Sequence, residues 1–158
     1  MDWSVQLYIL GEVSLALVLS GLIGLERELA GRPAGLRTQM LVAGSAALLV
    51  GLGEVLLEQF GAGGEGSLIR VDPIRIVEAI ITGISFLGAG TIFRRGSEHV
   101  EGLTTAATLL LSGALGICVA LRQMVLAIGV TLLTLVILRG FQRVEVWLTA
   151  RVQRTEGP

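Results

Sequence analysis

The 158 residues contain no lysine, so all twelve basic residues are arginine. A single cysteine, Cys118, lies inside an apolar run; no disulfide can form within the chain, and the residue reads as a small buried hydrophobe. The one histidine, His99, stands in a polar loop without a second nitrogen or sulfur ligand nearby, which argues against a metal site of that type. Phosphate-cradling GxxxxGK loops, HExxH and Ser-His-Asp sets are all missing, so no enzyme constellation is present. Aromatic residues make up only 4% of the chain and do not interleave with a basic stripe, which excludes the usual nucleic-acid surface. The N-terminus, Met1-Asp2, lacks the basic n-region of a cleavable signal, so the first apolar segment is expected to stay in place as a span.

What the chain does have is apolar surface. It is 53% hydrophobic and 16% charged, with a mean hydropathy of +0.78, more than a soluble domain of this size can bury. The apolar residues come in runs of roughly 17 to 21, about enough to cross a hydrocarbon core. Strand-like alternation is absent, and the 22 glycines suit membrane helices that use small residues to bring backbones close. The fold class is therefore all-α, a polytopic membrane protein with about five transmembrane helices.

In chain order, the first span runs from about Val5 to Leu25, carries Glu12 and ends at Glu26-Arg27-Glu28. A loop with Arg32, Pro33 and Arg37 leads to a second span from about Met40 to Leu57, which carries Glu54. The acidic, glycine-rich stretch from Glu58 to Asp72 reads as an exposed loop. Asp72-Pro73 gives an N-cap and a proline at the first helical position, opening a third span to about Phe93. After a polar loop, RRGSEHVEGLT, a fourth span covers about Thr105 to Leu121, and a fifth covers about Met124 to Leu138. Residues 1–141 form the transmembrane domain and 142–158 a short cytoplasmic tail, with Phe141, Val144 and Trp147 at near-helical spacing.

Arginine placement sets the orientation, because basic residues in short loops stay in the cytoplasm. With the N-terminus outside and the C-terminus cytoplasmic, the inner side holds nine arginines and the outer side only Arg70, Arg75 and Arg122. A four-span alternative worsens that balance. The two hairpins also align at an offset of 67 residues, matching Gly21 with Gly88, Arg27 with Arg94, Gly35 with Gly102, Thr38 with Thr105 and Ser45 with Ser112. Both would enter from the same side, making a parallel repeat about an axis along the membrane normal.

Ionisable residues at membrane depth are the candidates for chemistry, since each costs about 2.5–3.5 kcal/mol at a helix centre. Glu12, Glu54, Asp72 and Glu78 either form an outward-facing acidic cup, with Arg75 neutralising one of them and Asp72 and Glu78 as ligands suited to Mg2+ or Ca2+, or simply reach interfacial water or pair with Arg75. No other cofactor is expected. At the inner boundary, Glu26 needs a partner and Arg37 is the natural one, while Arg27, Arg94 and Arg95 read as anchors for lipid phosphates. Thr38, Thr104, Thr105 and Thr108 are expected to bond back to helix carbonyls. Ser20, Gly24, Ala79, Gly83, Ser112 and Gly116 recur at four-residue spacing and read as helix contacts, as do Gly88, Gly90 and Gly102.

The stretches GLIGLERE, RPAGLRT, DPIRIVEAIITGISFLGAGTI, RRG and VEGLTTAATL resemble the MgtC/SapB family of bacterial inner-membrane proteins over about residues 10 to 140. The matching positions are Glu26, Arg27, Gly35, Arg37, Thr38, Asp72, Pro73, Arg75, Gly83, Gly88, Gly90, Gly96, Gly102, Thr104, Thr105 and Thr108. The resemblance implies a helical membrane domain, a link to growth in low magnesium, and action by binding other membrane proteins, among them the F-type ATP synthase. Leu110 stands where relatives often have an aromatic. Many members carry a soluble cytoplasmic domain after the membrane part, whereas this sequence stops at Pro158.

Two readings follow. One is a regulatory or interaction protein of magnesium homeostasis, working through contacts with a partner or as a homodimer in the lipid bilayer. The other is a small Mg2+ transporter or channel with the acidic cup as its mouth. Mid-membrane polar residues are few, which favours the first, while the repeat and the buried charges favour the second.

Overall fold

A computed structural model describes the backbone of residues 3–60, 72–95 and 99–155, and the side chains of these except 60, 94, 95, 99 and 141–155. Five helices follow one another: α1 Trp3–Leu29, α2 Leu36–Phe60, α3 Pro73–Thr91, α4 Leu103–Ala120 and α5 Met124–Thr155. Four of them are long and apolar enough to span a membrane, and the apolar part of α5, Met124–Gly140, is shorter. At 1.5 Å per residue, α3 and α4 measure about 27–29 Å, close to the thickness of a hydrocarbon core, and α1 and α2 about 37–41 Å. The chain is a multi-pass membrane protein.

Local chemistry sets the helix ends. The Asp72 side chain accepts a hydrogen bond from the Ile74 N–H at 3.0 Å and Pro73 fixes the first helical φ, as the sequence leads one to expect. At the start of α2 the cap comes from a distance: the Glu28 carboxylate, on the last turn of α1, accepts the Leu36 N–H at 2.9 Å. Between α3 and α4 the expected polar loop contains a two-stranded antiparallel ribbon, β1 Phe93–Arg95 with β2 His99–Glu101, in which Arg94 faces Val100. Gly102 closes this turn at φ +93°, where a Cβ would overlap the Thr91 carbonyl oxygen, so only glycine fits. Gly102 thus caps α4 instead of packing two helices.

The packing centre is formed by α1, α2 and α4. Ala16, Leu19 and Ile23 of α1, Val42, Ala43, Ala46, Ala47 and Val50 of α2, and Leu109, Leu115 and Val119 of α4 make one buried cluster. Gly116 brings α4 onto α2 so closely that a Cβ there would overlap the Ala43 carbonyl oxygen, the small-residue contact expected of it. Gly24 meets the Leu36 backbone in the same way, and Gly88 rests on Ala106. α1 contacts both α2 and α4, and α3 contacts the same two helices, an arrangement in keeping with two related hairpins around a central α2–α4 pair.

Helix α3 is the peripheral member: it buries Ile80, Ile84 and Gly88, and leaves Phe86 79% exposed. Gly83 and Gly90 have nothing within 4 Å of where a Cβ would be, so neither packs a helix within the chain. Gly83, four residues from Ala79, and Gly90, seven residues further on, both read as helix contacts, but among the described residues no neighbour lies against either. Exposed apolar side chains such as Val125, at 89%, are normal where the solvent is lipid. α5 continues unbroken to Thr155, past the expected end near Leu138. The glycine tract of residues 61–66, Arg70, Gly96 and the side chains of Phe141, Val144 and Trp147 lie outside the described residues.

Candidate functional site

Apolar helices that span a bilayer do not bury polar side chains cheaply, so the polar groups inside this bundle are the informative ones. Apart from Thr131 and Thr134 on α5, whose hydroxyls bond back to their own helix, they fall into two sets at opposite ends. The first joins α1, α2 and α4 beside the α1–α2 turn. Arg27 is 3% exposed and donates to the Thr105 hydroxyl at 2.5 Å and to the Pro33 carbonyl at 3.3 Å. One helical turn deeper, the wholly buried Gln39 donates through Nε2 to the Thr108 hydroxyl at 3.0 Å and to the Ala34 carbonyl at 3.2 Å. Another turn on, the Ser112 hydroxyl donates to Gln39 Oε1 at 2.5 Å, and Ser20 lies 2.8 Å from the Ser112 oxygen and 2.9 Å from the Gln39 carbonyl.

Proton counting orders this ladder. Ser112 spends its one proton on Gln39 Oε1 and accepts from Ser20, while Thr108 spends its own on the Thr105 carbonyl at 2.9 Å and accepts from Gln39. The polar atoms therefore satisfy one another without a ligand along most of the ladder. Two exceptions sit at its turn-side end: Glu26 Oε2 and Arg27 Nε are buried and have no hydrogen-bond partner. Adjacent residues on a helix do not face each other, which keeps Glu26 and Arg27 from simply closing on one another.

The expected Glu26–Arg37 pair does not form. Arg37 is exposed and points into a groove between α2 and α3, while Glu26 is buried in α1. Thr38 is exposed in the same groove and Thr104 is exposed at the start of α4; only Thr105 and Thr108 of the four threonines join the buried set. Ser20 and Ser112 were read as helix contacts, and the structure adds a hydrogen bond between them. Gln39 is the residue that sequence reasoning missed. Its signal was the spacing Gln39, Val42, Ala43, Ala46, Val50, which is the buried stripe of α2.

The second polar set lies at the far end, where α4 turns into α5. Arg122 adopts φ +60°, and its Nε comes within 3.5 Å of Oε1 of the buried Glu12, an ion pair without hydrogen-bond alignment. Its guanidinium also lies 4.6 Å above the Tyr8 ring, a cation–π distance. A cavity of about 270 Å³ beside it is lined by Tyr8, Glu54, Glu58 and Arg122. The acidic cup is thus rearranged. Glu12 is neutralised by Arg122, not Arg75, and Asp72 and Glu78 do not line this cavity.

Asp72 and Glu78 are exposed, and the Asp72 carboxylate is occupied as a helix cap. Arg75 pairs with neither of them among the described residues. Among those residues, no three His, Cys, Asp or Glu side chains are placed to hold a metal ion. A magnesium ion carries its own waters and needs one or two free carboxylates. Of the α3 pair, Asp72 is engaged as a cap and Glu78 is exposed, while the far-end carboxylates share their space with the Arg122 guanidinium.

Residues 13–147 match the sequence profile of the MgtC family. An uncharacterized protein of Haemophilus influenzae is 35% identical over 149 residues, covering 94% of this chain and 62% of that protein. The putative magnesium transporter YhiD of Escherichia coli is 34% identical over 131 residues, 82% of this chain and 58% of YhiD. Protein MgtC of Brucella abortus is 45% identical over 102 residues, 65% of this chain and 38% of that protein. The chain thus spans less than two thirds of the length of each of these relatives. No solved structure matches. With a profile match across nearly the whole bundle, from the Glu12–Arg122 end to the Arg27–Thr105 end, the chain belongs to the MgtC family.

Proposed function

We propose that this chain is a non-catalytic protein of a bacterial inner membrane that serves magnesium homeostasis by contact with another membrane protein or a second copy of itself, not by conducting the ion. One observation carries the reading. Between Ser20 and Glu12 on α1, about 12 Å along the helix, the packed core is an aliphatic belt of Ala16, Leu19, Ala43, Ala46, Ala47, Leu115 and Gly116. An ion travelling from one polar set to the other would shed its water against those groups, with no polar side chain to replace it. The hydroxyls of Thr131 and Thr134 on α5 offer no detour, since each bonds back to its own helix, to the Ala127 and Val130 carbonyls.

Magnesium enters this reading through the family and through YhiD, whose name describes a putative magnesium transporter. That name, with the buried Glu12, also supports the transporter as a second reading. Liposomes holding the purified chain and a magnesium-sensitive dye separate the two. The expected result is uptake no faster than in protein-free liposomes; saturable uptake that disappears in Glu12→Gln would establish the transporter instead.

A further inference from the structure

The repeat leaves one cleft filled and its counterpart open. In the α1–α4 cleft, Thr105 and Ser112 are covered by Arg27, Gln39 and Ser20. Their counterparts at the 67-residue offset are Thr38 and Ser45 on α2, which face α3. There Leu87 stands in place of Ser20 and Ala106 in place of Gln39, so among the described side chains no polar group reaches across to seal the pair; the side chain of Arg94, the counterpart of Arg27, lies outside the described residues. The result is a groove of about 800 Å³ between α2 and α3, with aliphatic walls that include Leu41, Leu49, Ile80 and Ile84.

Charge identifies the occupant. Arg37 stands at one mouth, exposed and without a hydrogen bond or ion pair among the described residues, beside the exposed Thr38 hydroxyl. Both belong to the first turn of α2; the Leu36 N–H of that turn is already capped by the Glu28 carboxylate, so the attraction for a phosphate at this mouth rests on the Arg37 guanidinium and the Thr38 hydroxyl. From Arg37 to Leu49 the groove runs about 18 Å along α2, slightly more than half of a hydrocarbon core of roughly 30 Å. Arg75 at the other mouth is a poorer phosphate site, because Asp72 and Glu78 flank it one turn away on each side.

We propose that the α2–α3 groove is a binding site for one anionic phospholipid from the leaflet on the side of the α1–α2 turn. Its phosphate lies at Arg37 and Thr38, and its acyl chains lie along the aliphatic walls. A basic pocket between membrane helices is a recognised form of anionic headgroup site, and one arginine near the surface contributes about 1 kcal/mol, roughly a fivefold preference.

The test is native mass spectrometry of the full chain in detergent, titrated with phosphatidylglycerol or with phosphatidylcholine of the same acyl chains. The wild type is expected to retain phosphatidylglycerol about fivefold better, Arg37→Gln to bring the two lipids to parity, and Arg75→Gln to keep the preference. Gly83→Leu places a side chain where nothing lies within 4 Å of the Cβ, so it fills the groove without displacing the chain's own atoms and should cut retention of both lipids alike. No headgroup preference in the wild type, a preference that survives Arg37→Gln, or one lost in Arg75→Gln would each overturn the proposal. So would a lipid-free dimer that Gly83→Leu dissociates, which would assign the groove to a second copy.

Discussion

Replacing Gln39 with leucine keeps the volume of a wholly buried side chain and removes the amide that ties α2 to α4 and to the α1–α2 turn. The amide takes part in three hydrogen bonds, at 3.2 Å to the Ala34 carbonyl, 3.0 Å to Thr108 and 2.5 Å from Ser112. Hydrogen bonds between membrane helices contribute on average about 0.6 kcal/mol and at most about 1.7 kcal/mol each, so the direct loss of three is about 2–5 kcal/mol. Ser112 loses its acceptor at a wholly buried position, which places the expected cost at about 3 kcal/mol. Equilibrium unfolding in mixed micelles reads this quantity, with Gln123→Leu as the exposed control. Combining Gln39→Leu with Ser112→Ala should recover part of the loss, because the stranded hydroxyl goes with its partner. A cost below about 0.5 kcal/mol for Gln39→Leu, or strictly additive effects in the double variant, would refute the claim that the ladder holds the bundle together.

Gly116→Val sets a side chain against the Ala43 backbone and should destabilise the bundle by about 3 kcal/mol or more in the same assay, whereas Gly83→Ala should change it by less than about 0.5 kcal/mol. Thr105→Val leaves the Arg27 guanidinium with the Pro33 carbonyl as its remaining partner. Unfolding should become about 1–3 kcal/mol easier, while Thr104→Val, at an exposed position, should leave it unchanged. In a Cys118→Ser background, Thr104→Cys should react with an impermeant thiol reagent from the cytoplasmic side only and Gln123→Cys from the outer side only; the reverse pattern would invert the orientation taken from the arginines.

Much of the architecture is written in local signals. Span lengths follow from apolar runs, and the start of α3 follows from Asp72-Pro73, because those effects act within a turn of the residues concerned. Glu26, Arg27, Thr105 and Thr108 were visible as polar residues at an apolar boundary. Their partners were not, since Arg27 meets Thr105 across 78 positions and Ser20 meets Ser112 across 92. Gln39 hid among Arg37 and Thr38, where polar residues are expected at a helix start; only the face it shares with Val42, Ala43 and Ala46 sets it apart. Arg122 read as a loop arginine because its pairing with Glu12 depends on how α4 turns back beside α1. Gly83 and Gly90 show the opposite failure: spacing reports which residues share a face, and the packing of α3 decides what lies against it.

The central claim is that a dry aliphatic belt separates the two polar ends of the bundle. Cysteine placed at Ala46, which is 1% exposed within that belt, tests it most directly in a Cys118→Ser background and native membranes. The account predicts no modification by a small, water-soluble methanethiosulfonate reagent from either side, under conditions that fully label Gln123→Cys. Rapid modification of Ala46→Cys, slowed by added magnesium, would contradict it and place a water-filled ion path through the core.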